Sequence, residues 1–255
     1  MRVLAYHRVE PLRDLAWNRV SPRRFAAQME LLAARGLRVV PLGELLGGSG
    51  EGDVAVTFDD ALSCVVRYAV PVLERLGFRG TLFVPTAWVG KPNLWDTRLV
   101  GRRLLHASWN EIERAAGAGW EIGSHGHTHR DLARLPEEDA RRELEVSRDL
   151  LEARIGVAPA SLAYPFGEAN ARVARLAREA GFRWGCLAVP ADGSSDPFRV
   201  GRVGVRVFDG RAEFLAKVEG GVLYPLQVAK DRVAHFVSRG TPRIVHRIRR
   251  MEAPC

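Results

Sequence analysis

Eight short apolar runs, at residues 3–6, 37–41, 54–58, 80–84, 120–124, 161–164, 182–188 and 200–205, are separated by stretches of helical pattern. Runs this short and this apolar suit strands of a parallel sheet covered on both faces. The stretches between them carry helix start and stop signals. Ser21 and Pro22 open a helix that runs to Arg35, where Gly36 closes it. Ser108, with Glu111 three residues on, forms a capping box for a helix through Ala116. Pro136 opens a long helix to Arg154, and Asn170 caps one through Ala180 that Gly181 ends. Strands alternating with helices make parallel β/α units. Seven or eight such units predict an α/β fold, a distorted (β/α)7-8 TIM-like barrel in a single domain. Its chemistry then belongs on the loops at the C-terminal ends of the strands. Residues 86–107 break the alternation and are expected to make an excursion over one rim.

The chain's 255 residues are enough to bury a sizeable core, and the hydrophobic content of 47% is that of a globular protein. No apolar run approaches the roughly 18 residues of a membrane span. The N-terminus lacks a basic segment leading into an apolar one, so the expected location is cytoplasmic. Cys64, Cys186 and Cys255 are far apart and odd in number, which argues against a disulfide framework or a cysteine zinc site. The net charge of +8 is concentrated at the end: residues 226–255 hold seven basic and two acidic side chains. This divides the chain into a barrel over 1–225 and a basic, helical extension over 226–255. Only three of the 38 basic residues are lysines, which reads as overall composition, and no nucleic-acid partner is expected.

The chemistry gathers at strand ends. Val54, Val56 and Phe58 belong to a buried run that releases two carboxylates side by side, Asp59 and Asp60. One aspartate there would read as a helix cap; two point to function. The run at 120–124 delivers His125, followed by His127 and His129. A helical turn would bring His125 and His129 to one face, and an extended one His125 and His127. Two imidazoles with one carboxylate make a His2Asp set that leaves positions open on a divalent metal, the arrangement of a catalytic site. The second carboxylate is then free to take a proton from activated water.

TFDD, then GSHGHTHRDL, then AYPFG, in that order and spacing, resembles the polysaccharide deacetylase family, the NodB-homology or carbohydrate esterase family 4 group. The opening VLAYHRV resembles the start of one branch, and the likeness covers residues 1–205. The resemblance implies a distorted barrel that hydrolyses an acetyl group, most often an N-acetyl, on a carbohydrate or glycoside. It implies Asp59 as general base, and Asp60, His125 and His129 as ligands of one divalent metal, zinc first and otherwise cobalt, nickel or manganese. It leaves His127 outside the triad. From AYPFG it implies Phe166 as an oxyanion-binding N–H, with Tyr164 and Pro165 shaping a wall at the substrate.

This sequence departs from the family pattern in three places. The arginine often found in the third motif is replaced by Ala163, and Arg202, near the last strand end, is the candidate substitute. The residue after the aspartate pair, usually glycine, is Ala61. There is no clear Leu-x-His element for a general acid. His7, at the first strand end, is the best-placed histidine, while His235 and His246 read as structural. Tyr164, Pro165, Phe166, Arg202 and His7 are thus the candidates around the substrate. Trp88 and Trp95 on the excursion could offer a sugar-stacking wall. Two other readings are an amidohydrolase-type metal hydrolase using His125 and His127 as an H-x-H pair, and a barrel that binds carbohydrate without catalysis.

Overall fold

The computed structural model describes residues 2–11, 18–48, 50, 52–95, 104–190 and 195–238. The elements in chain order are β1 (Val3–Tyr6), β2 (Arg8–Val9), β3 (Arg19–Val20), α1 (Pro22–Ala34), β4 (Val39–Val40), α2 (Leu42–Leu46), β5 (Val54–Phe58), α3 (Ser63–Tyr68), α4 (Val70–Arg75), β6 (Thr81–Val84) and α5 (Trp109–Gly117). Then come β7 (Glu121–Ser124), α6 (Glu137–Ile155), β8 (Ser161–Ala163), α7 (Ala171–Glu179), β9 (Trp184–Cys186), β10 (Val203–Gly204), α8 (Arg211–Glu219) and α9 (Tyr224–Ser238).

One eight-stranded sheet runs in the order β10-β1-β5-β6-β7-β8-β9, with β4 also pairing β5. Every pairing is parallel. The sheet curls on itself as a distorted barrel. Its seam is the segment at 200–204: Val200 bridges Cys186 of β9, and three residues later Val203 and Gly204 pair with Leu4 and Ala5 of β1. The helix caps are those the sequence predicts. Ser21 accepts from the Arg24 N–H, Ser108 and Glu111 form a complete capping box, and Asn170 accepts from the Val173 N–H.

Side-chain parity divides the core. Leu4, Tyr6, Val54, Val56, Phe58, Leu82 and Ile122 face outward and pack with Phe25, Met29 and Leu32 of α1 and Ile112 of α5. Val3, Ala55, Phe83, Ala163, Cys186 and Val200 form a separate cluster inside the barrel. Successive strand residues point to opposite faces. The inward sets 3-5, 55-57, 123 and 200 therefore continue to His7, Asp59, His125 and Arg202 at the mouth. The strand period alone aims these four side chains at a common point.

Three strands are shorter than their apolar runs by three residues or more, at 39–40, 184–186 and 203–204, because the flanking apolar residues pair in turns and bridges instead of ladders. Among the described residues, no helix is long and apolar enough to cross a membrane. In the C-terminal extension, α9 packs by its Gln227 and Asp231 face, and Asp231 accepts from the Gly204 N–H and pairs with Arg206. The rest of the extension, including His246 and Cys255, lies outside the described residues, as do positions 96–103 of the excursion.

Candidate metal centre and active site

The β5 ladder extends to Asp59, whose N–H donates to the Tyr6 carbonyl at 3.0 Å. There the chain turns sharply: Asp60 and Ala61 take φ values of +66° and +43°. Glycine enters this left-handed region freely, whereas an L side chain does so at a cost of about 1–2 kcal/mol each. This accounts for the glycine that the resemblance leads one to expect at position 61, and something must hold an alanine there. The returning excursion does so. His106 Nδ1–H donates to the Asp60 carbonyl at 2.6 Å, and the Ala107 N–H donates to the Ala61 carbonyl at 2.7 Å.

On β7 the ladder continues to His125, whose N–H donates to the Val84 carbonyl at 2.9 Å. The His125 Nδ1–H is committed to the Ala163 carbonyl at 2.7 Å, so Nε2 carries the lone pair and faces inward. The following loop is gathered by Glu143 of α6, whose carboxylate accepts from the backbone N–H groups of His127 and Thr128 at 2.9 and 2.7 Å and from the Thr128 hydroxyl. This turn brings His129 round. His125 Nε2 lies 3.7 Å and His129 Nε2 3.4 Å from the same oxygen, Asp60 Oδ1. Among the described residues, Asp60, His125 and His129 are the one group whose donor atoms could share a metal, all within 4.8 Å of one another and all buried. Two neutral imidazole nitrogens and a carboxylate oxygen suit a divalent cation of the zinc type. His127 turns aside to Thr86, with 2.9 Å between Nδ1 and Oγ1. The H-x-H reading therefore fails on geometry.

Asp59 does not join that cluster. Arg202 grips both its carboxylate oxygens, Nη1 to Oδ1 at 2.6 Å and Nη2 to Oδ2 at 2.8 Å. The guanidinium is fixed in turn by the Leu187 carbonyl at 2.9 Å and the Thr57 hydroxyl at 3.1 Å. Burial pushes the Asp59 carboxyl up, but the charge and hydrogen bonds of Arg202, together with His125 and His7, outweigh it and hold the group well below the usual carboxylate range. His7 Nε2 lies 3.8 Å from Asp59 Oδ2, at the more open side of the pair. Burial pushes the His125 imidazole down, only partly opposed by Asp59, and pushes His106 down to about 4.

Four sequence expectations need correction. Tyr164 is not a substrate wall. It shares outward parity with Leu162, is fully buried against α6 and α7, and donates its hydroxyl to the Phe198 carbonyl at 3.1 Å. Pro165 is buried beneath the histidine loop at Gly126. Arg202 is buried on Asp59, the tethering place expected of the substitute for the arginine missing at Ala163, and not among the groups facing substrate. Trp95 is only 6% exposed and offers no stacking surface; its ring lies against His129. Phe166 does sit at the site, in a left-handed conformation at φ +60° with its ring 4.8 Å from that of His129. Sequence reading missed Glu143 and His106. The first had a signal: a carboxylate on the stripe Ala140, Leu144, Ser147 and Leu151, the buried face of α6.

A family model described as polysaccharide deacetylase matches residues 47–185. YxkH of Bacillus subtilis (strain 168) is 25% identical over 214 residues, covering 82% of this chain and 71% of that protein. A poly-beta-1,6-N-acetyl-D-glucosamine N-deacetylase of Staphylococcus aureus (strain MRSA252) is 23% identical over 180 residues, 65% of this chain and 60% of that protein. Among solved structures, IcaB from Ammonifex degensii superposes with a TM-score of 0.70 at 24% identity, over 86% of this chain and 95% of that one. Streptococcus pyogenes deacetylase PplD in complex with acetate gives a TM-score of 0.75 at 17% identity, over 86% and 97%. At these identities the two structures share the barrel fold with this chain.

Proposed function

The chain belongs to the polysaccharide deacetylase family, and from that premise we propose that it is a metal-dependent hydrolase removing the N-acetyl group of an amino sugar in a glycan or glycoside. The observation that carries the reading is the division of labour between neighbouring carboxylates. Asp60 faces two imidazole nitrogens, while Asp59 is kept ionised by Arg202 beside them.

Asp60, His125 and His129 would hold one divalent cation, zinc first, which when bound would polarise the acetyl carbonyl and make the attacking water more acidic. Asp59 is the general base. Its carboxylate accepts the water's proton, and the bidentate guanidinium restricts it to one orientation while it does so. The oxyanion that develops on the former carbonyl oxygen accepts the backbone N–H of Phe166. The C–N bond then breaks, and His7, beside Asp59 at the mouth, is the donor to the departing amine. His125, its Nδ1–H committed to the Ala163 carbonyl, and His129, in ring contact with Trp95 and Phe166, stay fixed throughout.

The test is acetate release from N-acetylated oligosaccharides with β-1,6 and β-1,4 linkages, alongside metal content by plasma mass spectrometry. Wild type should carry about one equivalent of a divalent transition metal and release acetate. Asp59→Asn should keep the metal and lose turnover by about 100-fold or more, whereas Asp60→Ala and His129→Ala should lose both. Unchanged turnover in Asp59→Asn would sink the mechanism.

A further inference from the structure

We infer that Trp95 is a positioning residue for the metal site, its indole setting the orientation of two of the three ligand side chains at once. The inference rests on the Asp60–His125–His129 site of the preceding section, and it concerns residues of the excursion that the family motifs do not include. The Trp95 Nε1–H donates to Asp60 Oδ1 at 3.2 Å, the same oxygen that faces both histidine nitrogens. The indole plane lies on the His129 imidazole with 4.1 Å between centroids and 7° between planes. The Phe166 ring also touches that imidazole, at 4.8 Å between centroids and 57° between planes.

Both restraints act on torsions that are otherwise soft. A carboxylate turns about a broad, roughly two-fold torsion, as does an imidazole about its terminal one. Trp95 restricts the first by a directed hydrogen bond and the second by a face-to-face contact. The tryptophan is itself held. Its backbone N–H donates to Asn93 Oδ1 at 3.0 Å, the edge of Trp88 meets it at 5.2 Å and 84°, and His106 lies 4.9 Å away. His106 also secures the Asp60 carbonyl, so the excursion holds Asp60 by both its main chain and its side chain. The segment that looks like a rim ornament is therefore part of the ligand scaffold. Outer partners of this kind typically contribute 10- to 100-fold to metal affinity.

Two variants separate the restraints. Trp95→Phe keeps an aromatic face on His129 and removes the N–H; Trp95→Leu removes both. Zinc affinity, read by competition with a chromophoric chelator on the folded protein, should fall about 10-fold in Trp95→Phe and about 100-fold in Trp95→Leu. Cobalt(II) bound to Trp95→Phe should show a visible absorption band altered from wild type, reporting a reoriented carboxylate. A tryptophan that merely fills space would lower the melting temperature and leave zinc affinity and the cobalt band of Trp95→Phe unchanged, and that result overturns the inference. A wild type that binds neither zinc nor cobalt overturns the metal site and this inference together. A wild type that binds metal but releases no acetate overturns the deacetylase reading alone, and the affinities still decide the role of Trp95.

Discussion

Arg202 and Asp59, 143 residues apart in sequence, meet as a fully buried bidentate ion pair at 2.6 and 2.8 Å. Burying two charges is offset only when geometry and further hydrogen bonds are good, and here Thr57 and the Leu187 carbonyl complete them. Arg202→Met would leave the carboxylate buried without its cation, at an expected cost of about 3–5 kcal/mol in urea denaturation. Turnover should fall about 100-fold or more as the base loses charge and orientation. Arg202→Lys should recover part of the stability but little of the rate, since a single ammonium cannot serve both oxygens.

Glu143 lies behind the histidine loop and touches none of the reacting groups. In Glu143→Gln one of the two acceptor oxygens becomes an NH2 facing the donors of His127 and Thr128. We expect a loss of about 1–3 kcal/mol and a weakening of metal binding by about 10-fold or more. Glu145→Gln, on the exposed side of the same helix, should stay within about 0.5 kcal/mol of wild type. Equal behaviour of the two variants in denaturation and metal titration would refute a clamp at position 143.

Gly167 sets the turn that presents Phe166. Its φ is +69°, and an added Cβ would stand 2.0 Å from the Cβ of Ala188. Gly167→Ala meets a steric overlap and a disfavoured backbone together, for an expected cost of about 2–4 kcal/mol. Because Phe166 moves with the turn, kcat should drop in the fraction that still folds, as acetate release normalised to folded protein would reveal.

The two cysteines of the barrel should be chemically silent. Burial pushes the thiol of Cys64 up to about 12, and that of Cys186 likewise to about 12. The thiolate is the reactive form, so at pH 8 both are almost wholly protonated. Peptide mapping after iodoacetamide treatment at pH 8 should find neither alkylated in the native protein and both alkylated in urea. Rapid native labelling of Cys186 would contradict its place inside the barrel.

The fold was legible because parallel strands announce themselves as short apolar runs and the helices between them carry explicit caps. Asp60 and His125 were legible as candidate ligands for a related reason: their strands are continuous up to those residues, whereas the choice of His129 over His127 came only from the family resemblance. Tyr164 was misread because a strand end was equated with a surface, although its parity with Leu162 sends it outward under α7. Trp95 and His106 lie on a segment without periodicity, and no local pattern states that it folds back onto the aspartate pair. Arg202 could be matched to Asp59 only through the family resemblance, as the substitute for a tethering arginine, since no local pattern states which strands meet at the seam.

That seam also has a consequence for the order of events during synthesis. The strands bearing Asp59, Asp60 and His125 leave the ribosome early, but the short segment that joins the two edges of the sheet is among the last parts of the barrel to appear, and it carries Arg202. Until it docks, the carboxylate of Asp59 keeps its charge in water but lacks the bidentate partner that fixes its orientation in the closed barrel. The same few residues that make the ring whole thus also bring the guanidinium that locks Asp59 in place.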